Sequence, residues 1–280
     1  NGCFDADTDG TFYWNGGTRQ FNNSYDLFNN VTESEVYKYY IDANGAIQFD
    51  TGEKVLKDYN PIKAYQSNVI TIKYKLEGSG ADEAAYKKSY LRLDVNKYDL
   101  QDSRGNARYI HNIIFDILEE YRYDDSEVLS QARSIFAQDI ENLSLYDTIA
   151  ELKYGNRIYS SQFNFKGVAK NKWVFEYVNQ SEGKTVSENV VWTRGRYFTN
   201  EFYLNGNVKK EVLGNFVMEN FEIPLTSPYS QLLSDISIQK VKITENNKYD
   251  YTGKVASDVL ETTYNVDYSL SDGEKEIVLN

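Results

Sequence analysis

The residues best suited to chemistry stand at the start of the chain, in NGCFDADTDG. Asp5, Asp7 and Asp9 alternate, and Gly10 follows. In a loop, carboxylates at this spacing converge on one hard cation, and the glycine allows the sharp turn that brings them together. Asp5, Asp7 and Asp9 are therefore the expected metal ligands, and Ca²⁺ the expected cofactor. Cys3 is the only cysteine, which rules out an intrachain disulfide. A lone thiol beside a terminus is available for an intermolecular bridge.

Other chemistry is harder to assemble. His111 is the only histidine. Any Ser-His-Asp or Cys-His site would have to use it, and a multi-histidine metal site is excluded. No serine sits in a Gly-x-Ser-x-Gly turn, and no glycine-rich phosphate loop is complete. Acidic clusters occur at Glu119-Glu120, at Asp124-Asp125, and at Asp272 with Glu274 and Glu276. Each is explained by a helix end, a cap or a turn. Paired carboxylates drawn from distant strands remain the one catalytic alternative, that of a secreted carbohydrate-active enzyme.

The composition narrows the setting. The 280 residues carry a formal charge of −12, a field that repels phosphate backbones and argues against nucleic acid as a partner. One cysteine in a chain of this length fits an exported, extracytoplasmic protein. No apolar run reaches the roughly 18 residues of a membrane-spanning helix. Tyrosine is abundant, at 25 against 14 phenylalanines and 3 tryptophans. Such rings suit half-buried strand faces and can also form a stacking platform for a glycan. Asn22, Asn30, Asn142 and Asn179 begin glycosylation sequons, a number that an Asn-rich chain yields by itself.

The elements that must position these residues are mostly strands. Residues 1–35 read as a leader or loop with one short strand near Thr11–Trp14, and residues 36–280 as the body. EVYKYYIDANGAIQFDTG (35–52) reads as a hairpin closed by a tight Asn44-Gly45 turn. NVITIKYKLEG (68–78) alternates cleanly, as does SYLRLDV (89–95). The period then shifts. In 107–121, Ile110, Ile113, Ile114, Ile117, Leu118 and Tyr121 fall at helical spacing, and residues 124–144 repeat the pattern. His111 is expected on the first of these helices, and Asp125 or Ser126 as the cap of the second. Strand patterns return at 157–167, 172–178, 189–193, 196–206, 236–244, 258–270 and 276–279. A short helix over 227–236 and a sub-boundary near 223–228 complete the reading. The expected fold is α+β and mainly β: antiparallel sheets, sandwich-like, with a central pair of helices at about 107–144.

Two short resemblances bear on the N-terminus. Asp5-Ala6-Asp7-Thr8-Asp9-Gly10 resembles the first half of the DxDxDG calcium loops of EF-hand and dockerin proteins. The twelfth loop position, an acid in EF-hands, is Gly16 here, so a further ligand would come from elsewhere. Asn1-Gly2-Cys3 resembles the end of the lipobox of bacterial lipoproteins. That resemblance implies a diacylglycerol on Cys3 and a membrane surface as partner, although a processed lipoprotein begins at the cysteine. The expectation is a non-enzymatic, extracytoplasmic cell-surface protein, binding or structural, anchored through Cys3. The alternative is a subunit of a filament or surface layer, pairing with copies of itself through its N-terminal segment.

Overall fold

The computed structural model describes residues 2–6, 12–60, 65–134, 149–179, 190–220, 223, 225, 227–250, 255–271 and 274–279. At 2–6, 12–14, 266–271 and 274–279 it describes the backbone alone. The chain is mainly β. Its strands are β1 (Gly2–Ala6), β2 (Phe12–Tyr25), β3 (Val31–Ile41), β4 (Ile47–Tyr59), β5 (Gln66–Glu77), β6 (Lys87–Gln101) and β7 (Ala107–Ile117). They continue as β8 (Ala150–Phe163), β9 (Ala169–Asn179), β10 (Val190–Phe202), β11 (Val208–Met218), β12 (Ile236–Tyr249), β13 (Ala256–Ser271) and β14 (Glu274–Leu279). The described helices are α1 (Asp125–Ser134) and α2 (Tyr229–Ser234). Strand order follows chain order from β1 to β14, and the pairings recorded by register are antiparallel. The expected sandwich of two sheets is thus replaced by one continuous hydrogen-bonded order.

Several expectations are corrected. Residues 107–117 are strand β7, not the first helix of a pair. Its buried residues are His111, Ile113, Phe115 and Ile117, a period of two. Isoleucines on both parities of the strand (Ile110 and Ile114 besides Ile113 and Ile117) imitate helical spacing, while their branched side chains favour a strand. The second expected helix is present as α1 over Asp125–Ser134, and residues 135–148 lie outside the described residues. Its cap is Asp124, whose Oδ1 accepts the Glu127 amide at 3.0 Å, one residue earlier than expected. Residues 190–193 and 196–202, parts of two expected strands, lie in the single strand β10 (Val190–Phe202), and residues 203–206 belong to the turn that follows it. Within residues 1–35, β2 runs for 14 residues in register with β3.

Five of the described hairpins close with one repeated turn. At Asp26–Asn30, Asp42–Ala46, Asp102–Asn106, Asn164–Val168 and Tyr203–Asn207, the first residue's amide donates to the fifth residue's carbonyl, and the fourth residue's amide donates back to the first. The fourth residue has positive φ: Asn29 at 65°, Gly45 at 78°, Gly105 at 84°, Gly167 at 78° and Gly206 at 77°. This is a three-residue loop ending in a left-handed residue, not the two-residue turn expected at Asn44-Gly45. In four of the five turns an Asp or Asn at the first position accepts backbone amides through its side chain. The Asn106 amide and these backbone donors hold the Asp102 carboxyl down at about 2.

The chain forms two compact units. Unit 1 comprises Asn1–Lys97 and Asn112–Lys153, and unit 2 comprises Tyr98–His111 and Tyr154–Asn280. In unit 1, Ile70, Ile72, Tyr74, Leu93, Val95, Ile113 and Phe115 are buried on the sheet, and Val128 and Ala132 of α1 are buried with them. Toward β3 the buried face turns polar. Glu35 accepts from the Tyr74 hydroxyl at 2.8 Å and from Lys88 Nζ at 2.6 Å. Glu33 pairs with Lys54 and with Arg133 of α1, each at 2.9 Å. In unit 2, the stretch between β11 and β12 is buried at Ile223, Leu225, Ser227 and Leu232. The expected sub-boundary at 223–228 therefore falls inside a unit.

Glycines make room for rings on neighbouring strands. Gly52 pairs with Tyr74, Gly195 with Phe216, and Gly214 with Tyr197. A Cβ at Gly52 would lie 2.4 Å from the Tyr74 ring. One at Gly195 would lie 2.2 Å from both the Phe216 ring and the Val174 carbonyl oxygen. A ring can tilt and a paired strand cannot. Urea unfolding should therefore show Gly195→Ala as the more destabilising change, with costs of about 1–3 kcal/mol for the pair. Equal costs would mean that backbone crowding is not the constraint.

Burial raises the Glu35 carboxyl, but the hydrogen bond and charge of Lys88, with the Tyr74 hydroxyl, outweigh it and leave Glu35 below its ordinary value. A carboxyl depressed on folding adds stability above its unfolded pKa, about 4.3, and that stability is lost as pH falls through the folded value. Thermal unfolding of Glu35→Gln should start from a lower midpoint at pH 7 and fall less steeply below about pH 4.3 than the parent. Parallel slopes would remove Glu35 from the acid response.

Candidate functional site

Of the four N-terminal residues singled out by their chemistry, Cys3 and Asp5 fall on β1. Cys3 pairs in register with Gly16, and Asp5 with Tyr13, so these two positions are strand rather than loop. Asp7 and Asp9 lie outside the described residues. Among the described residues no three His, Cys, Asp or Glu side chains are grouped to hold a metal ion. The carboxylate clusters separate into structural roles. Asp124 caps α1, Asp125 accepts from the Tyr90 hydroxyl, and Glu119 and Glu120 sit in a single 3₁₀ turn. Asp272 lies outside the described residues, and Glu274 and Glu276 are in β14. His111 is buried on β7, where its Nε2 lies 2.7 Å from the Tyr177 hydroxyl and its ring meets Tyr177 edge-on.

Unit 2 builds a different candidate. Alternate residues of β7 to β11 place Tyr109, Arg157, Tyr159, Trp173, Phe175, Trp192, Tyr197 and Phe216 on one face of the sheet. The register sets Tyr159 opposite Trp173 and Trp173 opposite Tyr197. Toward one end the rings are fully buried: Trp192, Phe175 and Phe216 are at most 1% exposed. Toward the hairpin ends Tyr109, Tyr159, Trp173 and Tyr197 are only half-buried. Tyr229 of α2 stacks on Tyr159 with ring centres 4.4 Å apart and an interplanar angle of 29°. Trp173 stacks on Tyr197 at 5.0 Å and 28°. Burial pushes the Tyr229 hydroxyl up to about 12, which keeps it neutral at physiological pH.

These rings border a cleft of about 340 Å³, lined by Tyr109, Tyr159, Trp173 and Tyr229 together with Leu100, Arg108, Ser160, Ser161 and Asn171. Flat aromatic walls with a small polar rim are the usual composition of a small-molecule site. Among the described residues no carboxylate lines the cleft. Two larger hollows in unit 2 are less organised. One of about 510 Å³ centres on Arg194 and Arg196, both engaged by Glu176. The other, of about 440 Å³, lies against Ile110, Ile158, Phe163, Phe198 and Lys172.

The residues behind the cleft fix its shape. Arg157 is 5% exposed and has no carboxylate partner among the described residues. Nη1 donates to the Leu225 carbonyl at 2.7 Å and to the Ser227 carbonyl at 2.8 Å. Its charge lies 5.4 Å from the ring centres of both Tyr109 and Tyr159. Trp192 Nε1 donates to the Ile223 carbonyl at 2.7 Å. These bonds fasten the stretch preceding α2 to the sheet and so bring Tyr229 onto Tyr159. On the adjoining hairpins Arg104 donates to the Asn164 carbonyl at 2.7 Å, and Asn164 Nδ2 to the Gly206 carbonyl at 3.0 Å.

Reading the sequence alone does not single out this cleft. The tyrosine and tryptophan surplus is visible, but the rings come from β7, β8, β9 and α2, and only the register aligns them. No family model matches the chain, and no curated protein matches it. Replacing Arg157 by Ala strands two buried carbonyls and loosens the segment before α2. Hydrogen exchange should quicken over residues 219–235, with a stability loss of about 2–4 kcal/mol. Unchanged exchange there would mean that the Trp192 contact holds the segment without it.

Proposed function

We propose that the protein is a non-enzymatic, extracytoplasmic binding protein whose ligand is a glycan held on the aromatic cleft of unit 2. One observation carries this reading. Two stacked aromatic pairs, Tyr159–Tyr229 and Trp173–Tyr197, stand half-buried on one sheet face, two of their rings on strands in direct register. A pyranose ring has an apolar C–H face that packs on such rings and a hydroxyl rim that calls for polar groups at the edge. Ser160, Ser161 and Asn171 supply that edge. The described lining is aromatic, with a small polar and basic edge, a composition that supports binding. The single cysteine favours an exported setting, and Cys3 remains the proposed lipid attachment on the lipobox resemblance.

A second reading has its own support. Among the described residues β1 pairs with β2 and β14 with β13, at the two ends of the strand order, so each keeps an edge that another copy can extend into a filament. Sedimentation over a range of concentrations tests this: growing polymers support assembly, and one unchanging species removes it.

The glycan reading is tested with an oligosaccharide array and calorimetry. Trp173→Ala and Tyr229→Ala should each weaken binding at least tenfold, with the far-ultraviolet circular dichroism of the sheet preserved. Retained affinity in both variants would place the ligand elsewhere.

A further inference from the structure

We infer that the cleft of unit 2 selects an acidic saccharide, whose carboxylate pairs with Arg108. The inference rests on the reading of the cleft as a glycan site and goes beyond it by fixing the charge of the ligand. Arg108 is exposed, lies on β7 beside Tyr109, and lines the cleft. It forms no hydrogen bond or ion pair with any described residue. Most other arginines of the chain are engaged. Arg19 pairs with Glu83, Arg92 with Asp94, Arg104 with Asp102, Arg133 with Glu33, and both Arg194 and Arg196 with Glu176. In a chain with 42 acidic residues and a formal charge of −12, an exposed arginine at a cleft with no carboxylate among its described lining residues is a local reversal of sign.

The buried Arg157 adds to it. Among the described residues its charge is met by carbonyl oxygens and ring faces, against Tyr109 and Tyr159, two of the rings that wall the cleft. Two cations at or behind the cleft thus favour an anion there, against the negative net charge of the chain. The guanidinium fork matches a carboxylate with two parallel hydrogen bonds, a geometry that an ammonium cannot reproduce. The stacked rings define where the sugar lies, and Arg108 at their border defines which substituent it carries. A uronic acid residue meets both demands: a pyranose face for Trp173 or the Tyr159–Tyr229 pair, and a carboxylate at the ring edge for Arg108.

The test uses the full chain and an array of uronic-acid oligosaccharides, each printed beside its methyl-esterified, uncharged counterpart. Affinities of the positives are then measured by calorimetry. Free acids should bind, and esterification should weaken them roughly tenfold or more. Arg108→Ala should lose about as much on the acid and almost nothing further on the ester, and Arg108→Lys should recover only part. Equal binding of acid and ester, with Arg108→Ala unaffected, would overturn the inference while leaving the cleft a glycan site. Binding that Trp173→Ala does not change, or no binding by any saccharide, would overturn both.

Discussion

A sheet has two faces, and a face bearing tyrosine, phenylalanine, tryptophan and isoleucine must be shielded from water. In this chain each compact unit draws that cover from a stretch between consecutive strands. In unit 1 it is the connection from β7 to β8, whose helix α1 buries Val128 and Ala132. In unit 2 it is the connection from β11 to β12, which buries Ile223, Leu225 and Leu232. Burial of apolar area gives the attraction, and polar bonds fix the place. Asp125 receives the Tyr90 hydroxyl and Glu33 holds Arg133 in unit 1, while Arg157 and Trp192 hold three carbonyls in unit 2. The candidate cleft exists because the second cover stops short. Past Tyr229 the aromatic face is left half-exposed.

The polar side of this arrangement is asymmetric. In unit 1 the buried charges are paired, Glu35 with Lys88 and Glu33 with Lys54, so removing either partner leaves a charge in a poor solvent. In unit 2 the buried Arg157 meets carbonyl dipoles through Nη1 and lies against ring faces. A guanidinium tolerates this better than an ammonium, because it is weakly hydrated and planar. As a result, positive charge lies against the rings with no carboxylate paired to it among the described residues.

The sequence by itself determined that the chain is mainly antiparallel β, since period-two runs joined by short turns admit little else. The clean alternations at 68–78 and 89–95 became β5 and β6, and the short helix near Pro228 became α2. The recurring five-residue turn was also legible, as DANGA, DSRGN and NFKGV, had the fourth-position glycine been compared across hairpins. What misled was degeneracy. At 107–117 isoleucines on both faces satisfied helix and strand periods at once, and only pairing within the sheet decided between them. The cleft belonged wholly to the tertiary structure. Tyr109, Tyr159, Trp173 and Tyr229 are spread over some 120 residues and share no local pattern. Strand register and the clasp of Arg157 and Trp192 bring them together, and both act between residues far apart in the chain, which composition and periodicity do not encode.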